Sequence, residues 1–370
     1  MNVRLLRASG WRNLAPVALE PGPRATVFFG HNGQGKTNLL EAAHYLVEFR
    51  SFRTRTPTEL VGWQAPEAKL AAEVEVGPLT RRIDVLVGSQ GAPARKQVRV
   101  DGKSVRRDSP QLRGLGVVVF LPEDLLLPRA APSARRSFLD RAAYNVDRLF
   151  YAEAVAYQKV LRSRNLVLRR GTANPTLLAT YDQQLARTGA RLVMRRRAIA
   201  AALAPRVQAL FVSLHAEIPA VIQYRSAPTI AEAASEADVA QALEAGLGRD
   251  RELDLRRRFT GTGPHTDDLD IHLGGRPVRE HGSQGQLRSL VLSLKLAELA
   301  NLAANLGEPP LLLLDDVASE LDGIRRHKLF ETITALPGQT FLTVTDRDLI
   351  PTLPGRLDFQ VSAGVISPAR

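Results

Sequence analysis

The segment GHNGQGKT, Gly30–Thr37, constrains the fold of this chain more than any other feature. It follows the apolar run ATVFF and opens the run TNLLEAAHYLV, so the pattern Gly-x-x-x-x-Gly-Lys-Thr connects a strand to a helix. Glycines let the backbone approach a ligand closely, and the loop N–H groups and the helix N-terminus then face phosphate oxygens. We therefore expect an α/β fold built around a nucleotide-binding loop.

Two side chains of this loop have the chemistry that a nucleoside triphosphate requires. Lys36 supplies a positive charge to the β- and γ-phosphates, and Thr37 supplies a hydroxyl to Mg²⁺. ATP and Mg²⁺ are therefore the predicted cofactors. The predicted nucleotide-binding residues of the loop are Gly30, His31, Asn32, Gly33, Gln34, Gly35, Lys36 and Thr37.

The run PPLLLLDD, Pro309–Asp316, has the pattern of a buried strand that ends in two carboxylates. Asp315 is positioned to bind the Mg²⁺ or its water, and Asp316 to orient or polarise the attacking water. We expect Thr37 and Asp315 to be the metal ligands, and Lys36 and Asp316 to be the catalytic residues.

A second glycine-containing segment, Ser283–Gln286, precedes another apolar helical run. Its hydroxyl, its exposed backbone N–H and the helix N-terminus can hold a γ-phosphate, yet one subunit has a single nucleotide loop. Either the segment is a helix N-cap without a ligand, or it completes the site of a second copy packed head to tail. The second interpretation predicts an ATP-dependent homodimer. The residues that then bind the partner molecule's ATP are Ser283, Gln284, Gly285 and Gln286.

The formal net charge of +12 is concentrated in one part of the chain. Between Arg129 and Arg197 there are 15 Arg and Lys residues against four Asp and Glu, an excess of 11. An arginine-rich composition explains a choice of Arg over Lys but not a local excess, so we expect a nucleic-acid-binding surface here. The predicted DNA-binding residues are Arg162, Arg164, Arg169, Arg170, Arg195, Arg196 and Arg197.

The composition, with 44% hydrophobic and 24% charged residues, is that of a soluble globular protein. Apolar runs such as Leu311–Leu314 end in charge or proline short of bilayer length. The first residues lack the apolar segment of a signal peptide, and the absence of cysteine agrees with a reducing compartment. We expect a cytoplasmic, nucleoid-associated protein without a membrane partner.

The hydrophobic periodicity changes twice along the chain. Strand-like alternation gives way near Ser133 to two long helical stretches, joined at Gly171–Pro175 into an antiparallel hairpin. An α/β pattern resumes from FTGTGPHTDDLDIHL. We therefore expect one discontinuous nucleotide-binding head, residues 1–128 and 260–370, interrupted by a helical insertion domain, residues 129–259.

Several segments, in order along nearly the whole chain, resemble the RecF family of bacterial recombination-mediator ATPases. SQGQ stands where ABC-type ATPases carry their signature loop, and SELD, Ser319–Asp322, stands where they carry the D-loop. The other segments that carry the resemblance are WRNL, GHNGQGKTNLLEA, FLPEDL, RRSFLD, GPHTDD, SQGQLRSLVLSLKLAEL and LLLLDDVASELD.

The resemblance implies an α/β fold: a two-lobed ABC-type P-loop ATPase head, of the chromosome-maintenance branch, with an inserted helical domain that contains a short antiparallel helical hairpin. It implies heads that dimerise on ATP, bind DNA (duplex, gapped or junction) and help to load recombinase at single-stranded gaps. It also implies a weak ATPase activity, a place in DNA replication, recombination, repair and the SOS response, and the mediators RecR and RecO as partners.

The sequence departs from the wider ABC pattern at two positions. Asp316 replaces the usual catalytic Glu and is one methylene shorter. Thr345 or Asp346 stands where many transporters place a γ-phosphate histidine. Both departures predict slow hydrolysis and leave nucleotide binding unaffected. The segment that corresponds to the Q-loop, Pro122–Asp124, has no glutamine, and its role stays open.

Two other classes of protein share the phosphate loop. An ABC transporter engine would need a permease and does not explain the arginine-rich helices, whereas a P-loop kinase would not need Ser283–Gln286. A related nuclease would need a second carboxylate cluster. His265, Asp267 and Asp268 could suggest a metal site, but we expect a structural role for them.

Overall fold

The structure, a computed structural model, describes residues 1–88, 96–107, 109–170, 174–215 and 218–369. The chain forms two compact units. Unit 1 consists of Met1–Leu125 and Leu294–Arg370, and unit 2 of Leu126–Ser293. Residues 260–293, which the sequence assigned to the head, belong to unit 2 by their contacts. The insertion boundaries 129–259 stay a prediction.

Unit 1 contains two six-stranded sheets and the two ends of the chain. Its strands are β1 (Asn2–Ser9), β2 (Val17–Leu19), β3 (Ala25–Phe29), β4 (Glu67–Val76), β5 (Leu79–Gly88), β6 (Lys96–Val100), β7 (Lys103–Ser104) and β8 (Val117–Phe120), then β12 (Leu311–Asp315), β13 (Thr340–Val344), β14 (Arg356–Ser362) and β15 (Val365–Pro368). Its complete helices are α1 (Lys36–Glu48) and α10 (Gly323–Ala335).

The first sheet has the order β15-β14-β3-β13-β12-β8 and is parallel except for β15. The leucine run of β12 is buried throughout, because a parallel strand in the middle of an α/β sheet is covered on both faces. The two apolar strands expected around the nucleotide loop, ATVFF and LLLLD, are β3 and β12, with β13 between them. Helix α1 packs against this sheet.

The second sheet is antiparallel, with the order β2-β1-β4-β5-β6-β7. Its strands alternate between buried and accessible residues, the pattern of a sheet with one face on the core.

A buried side-chain amide connects the antiparallel sheet to the parallel sheet. Gln339, just before β13, accepts from Val3 N at 2.8 Å and donates to Val3 O at 3.1 Å and to Gly22 O at 2.8 Å.

Unit 2 is mainly helical, with one three-stranded sheet of order β11-β10-β9. Its strands are β9 (Ala220–Arg225), β10 (Asp268–Leu273) and β11 (Arg276–Pro277). Its helices are α2 (Pro132–Val146), α3 (Leu149–Arg170), α4 (Pro175–Leu214), α5 (Pro228–Ala231), α6 (Glu236–Arg249), α7 (Arg251–Arg257) and α8 (Val278–His281). Helix α9 (Gln284–Leu306) begins in unit 2 and ends in unit 1.

Helices α3 and α4 form the expected antiparallel hairpin. Arg164 of α3 contacts Asp182 of α4, and Tyr157, two helical turns before Arg164, lies against Gly189, two turns after Asp182. Because the contacting residue moves forward along α4 as it moves back along α3, the two helices are antiparallel. Of the connection placed at 171–175, residues 171–173 lie outside the described residues. The apolar stripe of α4 is buried, except for half-buried Leu210.

Two helices, α4 and α9, are long and apolar enough to cross a membrane by length and composition. Within the most apolar 18-residue window, 72% of the residues of α9 and 33% of those of α4 are buried in the structure. Core helices satisfy the same criterion, and α9 is buried as a core helix.

A buried ion-pair cluster holds α3, α4 and α7 together. The Arg164 guanidinium, fully inaccessible to solvent, donates to Asp182 and to Asp254, each at 2.7 Å. Thr260 accepts a third hydrogen bond from Arg164, at 2.8 Å, and Arg251 pairs with Asp182 from the other side. Since an unpaired buried charge is costly, each member of the cluster depends on the others.

We expect the substitution Arg164→Ala to lower the free energy of unfolding by about 3–5 kcal/mol, because it leaves two buried carboxylates without their common partner. Urea unfolding followed by circular dichroism measures this change. The matched control is Arg162→Ala, an exposed position two residues earlier, with an expected change within about 0.5 kcal/mol. Equal effects of the two substitutions would contradict the role of the cluster.

Candidate functional site

The phosphate loop, Gly30–Thr37, connects β3 to α1 with a backbone that glycine alone adopts readily. Gly33 and Gly35 have φ angles of 79° and 112°, a region that side chains disfavour. At Gly30, a Cβ would lie 2.3 Å from the carbonyl oxygen of Val361. A Cβ at Gly33 would meet nothing within 4 Å, so the loop faces open space where a ligand can approach its backbone.

Lys36 is the first residue of α1, and its side chain turns back over the loop. Its Nζ donates to the carbonyl oxygens of Gly30 at 2.5 Å and His31 at 2.9 Å. Burial lowers the pKa of this ammonium, while the carboxylates of Asp316 and Asp315 oppose that effect. The Lys36 ammonium is therefore held beside the loop. A bound phosphate oxygen could replace one of the two carbonyl oxygens as its hydrogen-bond acceptor.

Asp315 ends β12 and accepts hydrogen bonds from two threonine hydroxyls. Thr37 Oγ1 lies 2.9 Å from both carboxylate oxygens, and Thr343 Oγ1 lies 2.6 Å from Oδ1. Burial raises the pKa of Asp315, although both hydrogen bonds oppose the shift. Hydroxyl and carboxylate oxygens are the donors that Mg²⁺ prefers, and a divalent cation would offset the buried negative charge. Thr37 and Asp315 therefore fit a magnesium site.

Asp316 follows in a left-handed conformation, with φ of 50°, which is uncommon for a residue other than glycine. Its backbone N–H donates to Thr343 O at 3.1 Å and to Thr343 Oγ1 at 3.0 Å. Ser319, the first residue of SELD, donates its hydroxyl to Asp316 Oδ1 at 2.6 Å. Asp316, which follows the expected metal ligand Asp315, is thus held by hydrogen bonds to its backbone N–H and to its carboxylate.

These groups line one cleft of about 500 Å³ within unit 1. Two residues of the segment compared with the Q-loop, Pro122 and Glu123, line it as well. Sequence reasoning missed Phe52 and Arg53, which come from the basic run SFRTRT after α1. The residues around the cleft are Asn32, Gly33, Gly35, Lys36, Thr37, Asn38, Phe52, Arg53, Leu121, Pro122, Glu123, Asp315, Asp316 and Thr343.

The remaining loop residues have different surroundings. His31 and Asn32 are exposed. Gln34 instead fastens the loop to the turn between β14 and β15: its Oε1 accepts from Ala363 N at 2.6 Å, and its carbonyl accepts from Gly364 N at 2.9 Å. Gln34 therefore anchors the phosphate loop to the turn between β14 and β15.

A buried ion pair that the sequence did not reveal connects the cleft to α9. Lys295, 1% exposed, places its Nζ 3.0 Å from Asp124 Oδ2 and 2.9 Å from the carbonyl oxygen of Val119. The same carboxylate oxygen accepts from Leu121 N at 2.9 Å. The turn that carries Pro122 and Glu123 is thus fixed to the helix that begins after Ser283.

In unit 2, the signature loop, Ser283–Gln286, starts α9 with a reciprocal cap. Gln286 N donates to Ser283 Oγ at 3.2 Å, and Ser283 N donates to Gln286 Oε1 at 2.8 Å. Arg129 holds the preceding carbonyl, Gly282 O, at 2.6 Å. Ser283 and Gln284 are exposed, and Gly285 is partly accessible. The N-cap is therefore present, and the assignment of these residues to a partner's ATP stays a prediction.

Two of the predicted DNA-binding arginines are internal, which corrects the sequence assignment. Arg164 is the centre of the buried cluster described above. Arg196, 5% exposed, forms a bidentate pair with Asp140 at 2.6 and 2.9 Å and donates to Pro264 O at 2.5 Å. Neither guanidinium can reach a DNA phosphate.

The other five predicted arginines divide into two groups. Arg195 pairs with Asp147 and Glu153, and Arg197 donates to backbone carbonyls. The second group is exposed on α3 and has no ion-pair or hydrogen-bond partner among the described residues; it comprises Arg162, Arg169 and Arg170. Lys159, one turn before Arg162, is also exposed. Lys159, Arg162, Arg169 and Arg170 therefore form an exposed basic stripe on α3, and DNA binding by the three arginines stays a prediction.

The GPHTDD segment is a buried hydrogen-bonding centre of unit 2. His265 contacts Tyr157 Oη at 2.6 Å and Thr260 O at 2.9 Å, and burial lowers its pKa. Asp268 forms a bidentate pair with Arg135 at 2.8 and 2.6 Å. Across the described ranges, no group of three or more His, Asp and Glu side chains could hold a metal ion. The contacts are those of a structural segment.

The parallel sheet, the phosphate loop and the paired Asp315 and Asp316 define the class of protein, an ABC-type P-loop ATPase head. A family model described as RecF/RecN/SMC N terminal domain matches residues 2–350. A DNA replication and repair protein RecF from Anaeromyxobacter sp. (strain K) is 47% identical over 376 residues, which cover 100% of this chain and 99% of that protein. The RecF of Geobacter sulfurreducens is 35% identical over 371 residues, with 100% of each chain covered.

Solved structures agree with these relatives. The structure of the recombination mediator protein RecF-ATPrS in the RecFOR pathway has a TM-score of 0.91 at 28% identity and covers 100% of this chain and 98% of that one. An SmcHead bound to the C-winged helix domain of ScpA has a TM-score of 0.58 at 14% identity, with coverage of 100% and 97%, and shares the fold. The chain belongs to the RecF family, and the resemblance found in its motifs is confirmed.

We expect Lys36→Met to lose ATP affinity by at least tenfold, because the ammonium held beside the loop is the cation of the cleft nearest the expected phosphates. Isothermal titration with ATP and Mg²⁺ measures the loss. Lys103→Met, at an exposed position in β7, removes the same charge away from the cleft and serves as the control. Unchanged affinity of the Lys36 variant would exclude this cleft as the ATP site.

Proposed function

We propose that the protein is an ATP-dependent DNA-binding protein of recombinational repair. In this proposal two copies dimerise on ATP and clamp duplex DNA near single-stranded gaps, where they help to load recombinase. Hydrolysis of ATP then releases the DNA. The names of the RecF relatives, and the solved RecF structures with ATP and an ATP analogue, support this assignment.

The observation that carries the proposal is the convergence of Lys36, Thr37, Asp315 and Asp316 in one cleft. Lys36 would hold the phosphates, and Thr37 with Asp315 would hold Mg²⁺. When bound, Mg²⁺ neutralises charge on the phosphate oxygens. Asp316 would accept a hydrogen bond from the attacking water through the carboxylate oxygen that Ser319 leaves available.

Slow hydrolysis fits the surroundings of this carboxylate. The Asp316 side chain is shorter than that of Glu, and its backbone and one oxygen are already hydrogen-bonded. At the position of the transporter histidine, Thr345 is exposed, and Asp346 accepts from Asp348 N at 3.0 Å as the cap of a short turn. We therefore assign the protein a weak ATPase activity that sets the lifetime of the closed dimer.

The signature loop supplies the argument for two copies. Its cap uses Ser283 Oγ as an acceptor, so the hydroxyl proton remains to donate to a γ-phosphate. Exposed Ser283 and Gln284 are accessible to a second molecule. We propose the cytoplasm, on nucleoid DNA, as the location of the dimer, and RecR and RecO as its protein partners.

We expect Ser283→Arg to keep ATP affinity within about twofold of the wild type and to abolish the ATP-dependent dimer, because the bulky cation stands where the partner's nucleotide would bind. Asp316→Asn should bind ATP and accumulate as the dimer, since it retains the phosphate contacts but acts weakly on water. Analytical ultracentrifugation with and without ATP distinguishes the two. A Ser283→Arg protein that still dimerises on ATP would show that the trans site is wrong.

We expect reversal of the exposed stripe, Arg162→Glu with Arg169→Glu and Arg170→Glu, to weaken ATP-dependent duplex binding across unrelated sequences. The slope of log affinity against log salt should flatten by roughly one unit for each lost phosphate contact. Fluorescence anisotropy at several salt concentrations measures both. The control, Arg256→Glu with Arg257→Glu and Arg258→Glu, makes the same change of net charge at exposed residues of unit 2. If the two triple variants weakened DNA binding equally, the stripe would act only through the net charge of the protein and would not be the DNA-binding surface.

A further inference from the structure

The phosphate loop carries the one asparagine of the chain that is followed by glycine. Of the nine asparagines, the other eight precede leucine, valine or proline. Asn32 and Gly33 are both exposed and line the cleft together with Lys36 and Asp315. The pair favours a turn. It is also the dipeptide in which a side-chain amide reacts most readily with the next backbone nitrogen, because glycine has no side chain to obstruct the approach.

Neither of the two reacting groups is held by another part of the structure. Within the described ranges, no hydrogen bond involves the Asn32 side chain or Gly33 N. A Cβ at Gly33 would meet no atom within 4 Å, so the backbone nitrogen lies in open space. The Lys36 ammonium, which donates to His31 O at 2.9 Å, adds positive charge beside the loop and stabilises a deprotonated amide nitrogen.

Asn38, in the first turn of α1, lines the same cleft and provides the contrast. Its Nδ2 donates to Asn13 Oδ1 at 2.7 Å, and its Oδ1 accepts from Arg53 at 2.6 Å. The next backbone nitrogen, Leu39 N, donates to Gly35 O at 3.1 Å inside the helix. The cleft thus contains one asparagine that is fixed by hydrogen bonds and one that is not.

We propose that Asn32 is a site of spontaneous deamidation, which disables the nucleotide cleft unless ATP occupies it. Gly33 N attacks the side-chain amide carbon of Asn32 and forms a bond with it. The bond between that carbon and the side-chain nitrogen breaks, and the nitrogen leaves as ammonia with the backbone proton. Water then opens the resulting succinimide at either carbonyl, which yields aspartate or isoaspartate. Only the protection by ATP rests on the proposed function.

Both products oppose the binding of phosphate. The residues that line the cleft include two cations, Lys36 and Arg53, and three carboxylates, Glu123, Asp315 and Asp316. An aspartate in the loop adds a fourth negative charge where the phosphates are expected. Isoaspartate also routes the chain through the side-chain carbons, which adds a methylene to the backbone and displaces the loop N–H groups that face a phosphate.

A bound nucleotide protects the loop in this proposal. Its phosphates occupy the open space in front of Gly33 and accept hydrogen bonds from the loop N–H groups. If only the empty cleft reacts, the rate of deamidation falls by the factor 1 + [ATP]/Kd, which is about tenfold when ATP is present at about ten times its Kd. The nucleotide-free protein is therefore the population that loses its cleft with time.

The experiment incubates the full-length protein in mildly alkaline buffer, with and without Mg²⁺ and a replenished supply of ATP. Trypsin cuts after Arg24 and Lys36, so Asn32 and Asn38 fall in separate peptides, each with one asparagine. Mass spectrometry follows the exchange of amide for carboxylate. We expect the peptide of Asn32 to react about tenfold or more faster than that of Asn38, and ATP at about ten times its Kd to slow the reaction about tenfold.

Two variants connect the modification to ATP binding, which isothermal titration measures. Asn32→Asp reproduces the aspartate product and should bind ATP about tenfold or more weakly than the fresh wild type. Asn32→Gln has a side chain one methylene longer, which disfavours the ring closure. This variant should keep its own starting affinity through an incubation in which the wild type loses affinity in step with deamidation.

Equal rates of deamidation at Asn32 and Asn38 would overturn the proposal, as would a deamidated protein that binds ATP as well as the fresh one. Deamidation at an unchanged rate with ATP bound would overturn the protective role of the nucleotide. A fresh wild type that binds no ATP, but still deamidates at Asn32, would count against the proposed function and leave the modification site standing.

Discussion

The parallel pairing of β3 with β13 is the contact on which the nucleotide site depends. It joins Ala25 to Thr340 and aligns the ends of β3, β13 and β12 along one sheet edge. Only then do Thr37, Asp315 and Thr343 meet in their shared hydrogen bonds. The phosphate loop can form its turn locally, but Asp315, which accepts the hydrogen bond of Thr37, comes from the other end of the chain.

The part of the site that sequence reasoning predicted is the part encoded by short motifs. The phosphate loop and the leucine run before Asp315 have fixed spacing and fixed local geometry, so their positions follow from the sequence, as does the order α/β, helical, α/β. The pair of Lys295 with Asp124 has no such signal, because the two residues are distant in sequence and become neighbours only through the fold.

The arginine-rich segment shows why charge content does not measure surface charge. Arg162 and Arg164 are two residues apart on α3, yet a helix turns them to different faces. The partners of Arg164, Asp182 and Asp254, are 18 and 90 residues away, so no local pattern shows that its charge is neutralised. Part of the positive excess therefore holds the helices together, and a smaller part, the stripe on α3, stays exposed.

The insertion of unit 2 between the two parts of unit 1 has a consequence for synthesis on the ribosome. Strand β3 emerges roughly 300 residues before its neighbour β13. At about 5–20 residues per second, the interval is roughly 15–60 s. The helices of unit 2 can fold during that time, whereas the parallel sheet waits for the C-terminal strands. A nascent chain of this protein thus completes the cleft of Lys36 and Asp315 last, and a truncated product would carry the exposed arginines of α3 without that cleft.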